Sequence, residues 1–204
     1  MTDDHRRHAP ATARNREAIL AVLQAHLPCS GEVLEIASGT GEHILYFAQA
    51  CSPDLVFQPT DPDAAARASI DAWAASCGVS NVRRAIALDA TDEVWPVTGA
   101  DAVLCINMVH IAPWAATDGL VRGAAKILPA GGMLYLYGPY RFEGCHTASS
   151  NEAFDADLRR RNPEWGVRDF EAVVDLATVH GFQSPITEQM PANNVSLVFR
   201  RRPR

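Results

Sequence analysis

Short, almost unbroken apolar runs alternate with stretches of helical periodicity along most of this chain, and that alternation is the tightest constraint on its fold. The run Val33, Leu34, Ile36 and Ala37 has too few polar positions for a strand with one wet face. It reads as a central parallel strand covered on both sides. Further strands are expected over 55–60, 82–88, 100–107 and 133–137, with helices over 42–51, 63–77 and 114–128 between them. Ahead of the first strand, Ile19, Leu20, Leu23 and Leu27 place a helix over 14–27. Ser149 and Glu152 have capping-box spacing for a helix running towards Arg161, and Phe170, Val173, Val174 and Ala177 mark another. Two final strands, 182–190 and 195–201, are joined only by Pro191, Ala192, Asn193 and Asn194. That connection is too short for a parallel crossover, so the pair forms an antiparallel hairpin.

The expected architecture is therefore α/β and Rossmann-like: a doubly wound, seven-stranded, mostly parallel sheet closed by a C-terminal antiparallel hairpin, with ligands beyond the carboxyl ends of its strands. The 204 residues suit one domain, 1–204, with 1–13 as a flexible N-terminal segment and 14–27 as a helix or lid. A formal net charge of −6 disfavours a large nucleic-acid footprint, and Arg200, Arg201, Arg202 and Arg204 read as a solvated tail. No apolar run approaches the roughly 20 residues that span a bilayer, and no signal core follows the polar start. The five cysteines form no C-x-x-C pair, which fits a reducing compartment and no metal site. The expectation is a cytoplasmic protein with neither membrane nor nucleic-acid partners; its oligomeric state is not legible.

After the first strand the chain reads Glu35-Ile36-Ala37-Ser38-Gly39-Thr40-Gly41, a strand-to-helix turn in which glycine lets backbone approach a ligand. A tight turn alone would also explain it. A dinucleotide fingerprint needs a small residue three places after Gly41, where this chain has Ile44, so S-adenosylmethionine is the better ligand and an oxidoreductase the weaker alternative. Asp61 ends the second strand, where a carboxylate can accept ribose hydroxyls or instead cap the next helix. Asp89 ends the third, where it can take an adenine amine or simply face solvent.

Glu35 to Gly41, Asp61 and Asp89 resemble the donor-binding motifs of class I S-adenosylmethionine-dependent methyltransferases. The strings 33–41, 105–114, Tyr137-Gly138-Pro139-Tyr140 and Met190-Pro191-Ala192-Asn193-Asn194 further resemble a methyltransferase family that includes the methyltransferase-like protein 26 group. Ala37 stands where the wider superfamily has glycine. The resemblance implies S-adenosylmethionine as donor and S-adenosylhomocysteine as product, held by Glu35, Ala37, Ser38, Gly39, Thr40, Gly41, Asp61, Asp89, Asn107 and Met108. Arg14 is expected on the donor's carboxylate, beside Asn15. A donor-binding module without catalysis is the alternative. The family supplies no acceptor.

Methyl transfer needs alignment and a dry site more than a protein nucleophile. Asn107 and His110 follow the fourth strand; either His110 is a general base, with Asn107 beside it, or both only fix the loop. Trp114, Tyr137, Tyr140 and Trp165 supply either an aromatic wall or core. Asn193 and Asn194 are expected at the mouth of a small-molecule acceptor site, unless they merely build the turn. Asp155 with Arg159, and Arg168 with Asp169 at the start of the last helix, read as surface pairs.

Overall fold

The computed structural model describes residues 4–203. Parallel strands β1 (Gly31–Ile36), β2 (Leu55–Pro59), β3 (Ala102–Ile106) and β4 (Met133–Gly138) form the centre of the main sheet. The hairpin of β8 (Ile186–Met190) and β9 (Asn194–Arg200) completes it, giving the order β2-β1-β3-β4-β9-β8. β9 runs antiparallel to both β4 and β8, so β8 points the same way as β1, and the turn after it lies on the ligand edge. A small second sheet joins β5 (Tyr140–Phe142), β6 (Cys145–His146) and β7 (Arg168–Asp169).

Alternate side chains of the main sheet feed two cores, as its apolar runs require. Leu34, Ile36, Val103 and Leu136 pack with α4 (Trp114–Ile127) and α6 (Phe170–Val179). Val33, Leu104 and Tyr135 pack with α1 (Pro10–His26), α2 (Glu42–Ala50) and α3 (Ala64–Cys77). Ile44 is fully buried on that second face.

The sheet has six strands, not the expected seven, because 82–88 is not a strand. Only two isolated bridges join it to β2 and the residue after it, Phe57 with Val82 and Thr60 with Ile86. Between them the partner side carries one residue more than β2, and Pro59 has no N–H to offer the ladder. The Gln58 side chain fills the gap, donating to Arg84 O at 2.9 Å.

Three other local expectations change. Pro10 opens α1 four residues before the expected start, Pro at the first helical turn having no N–H to lose. Helix α5 (Ser149–Arg161) does begin at Ser149, but Ala148 is its N-cap and no side chain caps it, so the expected capping box does not form. Arg168 and Asp169 lie in β7, with Asp169 as N-cap of α6. No described helix is long and apolar enough to cross a membrane.

Candidate active site

The turn after β1 is built by backbone capture. Ser38 N donates to Thr60 O at 2.8 Å, and Gly39 N donates to Asp61 Oδ2 at 3.0 Å. Ala37 takes φ +56° and Gly39 φ +58°, while Gly41 has φ +91°. A Cβ on Gly41 would also lie 2.8 Å from Ile70 Cα, so this glycine lets α3 approach the turn.

Asp61 Oδ1 accepts from Asp63 N at 2.9 Å, and burial raises the carboxyl's pKa against these backbone bonds. An ionised carboxylate has about four acceptor positions, which leaves about two open. Capping of α3 falls to Asp63 instead, which accepts from Ala65 N and Ala66 N. Glu35 is buried at the end of β1, and its Oε2 has no partner among the described residues. Burial first, then the nearby Asp61 charge, push its pKa up to about 7, against a hydrogen bond to Ser38.

Two cavities open on this edge. The smaller, about 240 Å³, is lined by Ala37, Pro62, Leu88, Asp89, Met108 and Ala116 among others. Asp89 Oδ1 is occupied by Thr91, from N at 2.9 Å and Oγ1 at 2.7 Å. The larger, about 610 Å³, is lined by Arg14, Asn15, Asn107, Tyr137, Asn151 and Asn194, with Ile111, Pro139 and Phe154 as apolar wall. Asn107, at φ +64°, and Met108 are consecutive, and each lines a different cavity.

The acceptor residues expected from sequence divide sharply. Asn107 and Asn194 line the larger cavity. Asn193 does not; it takes φ +57° after Ala192 at +58°, and its carbonyl accepts from Asn151 Nδ2 at 2.9 Å. The Asn194 amide also serves the turn, donating to Pro191 O at 3.1 Å. His110, Trp114 and Tyr140 line neither cavity. His110 is 1% exposed, packs edge-on to Tyr140 at 5.1 Å, and has both ring nitrogens unpartnered. Burial first, then the Arg168 charge, push its pKa down to about 3, so the base role fails on position and on basicity. Tyr140 is core, and Trp114 sits by the Arg168 guanidinium, 5.8 Å from ring centroid to Cζ.

Two expected surface pairs are structural instead. Asp155 is 7% exposed and accepts from Val167 N at 2.7 Å as well as Arg159 Nε at 3.0 Å. Arg168 donates to Val109 O and Ala112 O, clamping the loop that carries Asn107. Sequence reasoning also missed Glu42, whose Oε2 accepts from Ala9 N at 2.6 Å and Thr40 Oγ1 at 3.1 Å, tying the segment before α1 to the glycine turn. Its place at the start of α2 was the only signal. Asn15 joins the two sides by a 2.8 Å bond to His43.

This fold is found in solved methyltransferase structures. An O-methyltransferase family 2 protein from Planctomyces limnophilus, in complex with apigenin, matches with a TM-score of 0.81 and 18% identity over 94% of this chain and 58% of its own. Human N-acetylserotonin methyltransferase in complex with S-adenosylmethionine matches at 0.75 and 13%, over 94% and 53%. The YcgJ protein from Bacillus subtilis matches at 0.69 and 16%, over 93% of this chain and 99% of its own. The chain thus spans a little over half the length of the first two. It belongs to the family described as protein of unknown function (DUF938), whose family model matches residues 6–201.

Proposed function

We propose that this chain binds S-adenosylmethionine and transfers its methyl group to a small molecule. One observation carries the reading: consecutive residues Asn107 and Met108, at the end of β3, face two separate cavities on the ligand edge, one for a nucleoside and one for an acceptor. The residues present fit the donor. Asp61 has open acceptor positions for ribose hydroxyls, Asp89 stands at the rim of an apolar cavity of adenine size, and Glu35 Oε2 is a buried acceptor without a partner. Ser38, Gly39, Thr40 and Gly41 contribute a turn without bulk.

When bound, the donor supplies a methyl carbon on a positively charged sulfur. The protein's part is to align the acceptor and exclude water, worth effective molarities of about 10⁵ to 10⁸ M for a well-oriented pair. Tyr137, Pro139, Ile111 and Phe154 form the apolar wall against which an acceptor would be aligned. The likeness to the methyltransferase-like protein 26 group supports the same reading through the quoted strings. We also place the protein in the cytoplasm, consistent with its five free cysteines, with a small molecule as partner and neither nucleic acid nor membrane.

Calorimetry with S-adenosylhomocysteine tests the reading. The wild-type chain is expected to bind it, and Asp61→Asn to bind it about ten- to hundredfold more weakly, the weight of a charged acceptor at about 1.5 to 3 kcal/mol. The asparagine keeps one oxygen for the turn. Undiminished affinity in that variant, if folded, would refute the ribose assignment, and no binding by the wild type would refute the function.

A further inference from the structure

Methylating a neutral hydroxyl requires a group to take its proton, whereas methylating an anion does not. The larger cavity has no such group. Among the described residues, Arg14 is its one charged lining residue and no Asp, Glu, His, Cys or Lys lines it. Tyr137 is its other titratable group, and burial pushes that phenol's pKa up. His110 lies outside the cavity, its Nε2 held against the bare Cα of Gly138. The amides of Asn151 and Asn194 donate to Thr147, Asn193, Pro191 and Ala192, so they do not supply donors to the cavity. Arg14 is thus a cation at an apolar-walled cavity, with no acid lining it to neutralise the charge.

We infer that the acceptor is a small carboxylic acid with an apolar body, methylated on a carboxylate oxygen to give an ester. The inference rests on the methyl-transfer reading above. A carboxylate is ionised throughout the neutral range, and its two oxygens match the fork of a guanidinium. Arg14, expected from sequence on the donor's carboxylate, is here assigned to the acceptor's. One oxygen pairs with Arg14 while a lone pair on the other forms the new O–CH₃ bond. The electrons of the breaking C–S bond return to sulfur, converting the sulfonium to a neutral thioether. No proton is left over. Opposite charges disappear together, a change favoured beside the apolar wall of Ile111, Pro139 and Phe154. An ammonium acceptor would meet the charge of Arg14 and would still need a base.

The test uses the full chain saturated with S-adenosylhomocysteine, with phenylacetate and hexanoate as probes. Calorimetry is expected to show a carboxylate binding to the loaded protein. Arg14→Gln should weaken that binding tenfold or more, while S-adenosylhomocysteine affinity moves less than twofold. With S-adenosylmethionine, mass spectrometry should find the methyl ester, at a rate flat from pH 6 to 9, and no product from 2-phenylethanol or phenethylamine. The inference is overturned if neither acid binds the loaded protein, if Arg14→Gln loses S-adenosylhomocysteine affinity by the same factor, or if the alcohol or amine is methylated in place of the acid. Wild-type protein that binds no S-adenosylhomocysteine removes the methyl-transfer reading itself, which separates the two failures.

Discussion

A Cβ on Gly138 would lie 2.2 Å from His110 Nε2, so the last residue of β4 is kept bare by the imidazole packed against it. Gly138→Ala is therefore expected to destabilise the protein by about 1 to 3 kcal/mol, the usual range for overpacking a filled core. His110→Ala opens the space, so urea denaturation of the double variant should reveal a coupling of roughly 1 kcal/mol or more. Strictly additive losses would show that the two residues do not compete for space.

Glu35 makes stability depend on pH with a definite sign. Its carboxyl ionises near 4.5 in an ordinary setting and near 7 in the fold. The folded state is unaffected below the lower value and loses stability as pH rises through the upper one, by about 2 to 4 kcal/mol in all. Glu35→Gln removes the penalty, so the ligand-free variant should match wild type near pH 4.5 and exceed it at pH 8. Denaturation curves that stay parallel across that range would disprove the assignment.

Ala37 occupies a left-handed conformation, φ +56°, in which a Cβ crowds its own backbone. Ala37→Gly is expected to raise stability, by up to about 1 kcal/mol, although glycine's freer unfolded chain offsets part of the gain. Ala37→Val should lower it by about 1 to 3 kcal/mol, because a β-branched residue tolerates this region worst. Urea midpoints decide the matter, and a valine variant as stable as wild type would show the turn to be unstrained.

The parts of the fold that follow from local pattern were legible. Apolar runs located β1, β3 and β4, and a four-residue connection dictated the hairpin of β8 and β9. What escaped depends on partners distant in sequence. The 82–88 run has strand composition, yet Pro59 and a one-residue mismatch in β2 deny it a ladder. Asp61 reads equally as a ribose acceptor or a helix cap until the backbone shows Asp63 holding Ala65 and Ala66, and Asp61 holding Gly39. His110 sits on the expected loop, but its burial against Gly138 and Tyr140 is a tertiary fact with no mark in the surrounding residues. Arg168 reads as a surface charge because its acceptors, the carbonyls of Val109 and Ala112, lie more than fifty positions earlier.

The run that leads to Asp89 is fastened to β2 by two bridges and one glutamine side chain, whereas β3 on the other side of the sheet's centre is zipped along its whole length. Amide protons at 84–88 are therefore expected to exchange with solvent before those of Val103 and Leu104, which hydrogen-exchange measurement checks. Leu88 and Asp89, at the end of that run, line the smaller cavity, so this wall is held by fewer ladder bonds than the strands beside it. Under the proposed function, a flat base would enter past this wall without parting the fully paired strands β1 and β3.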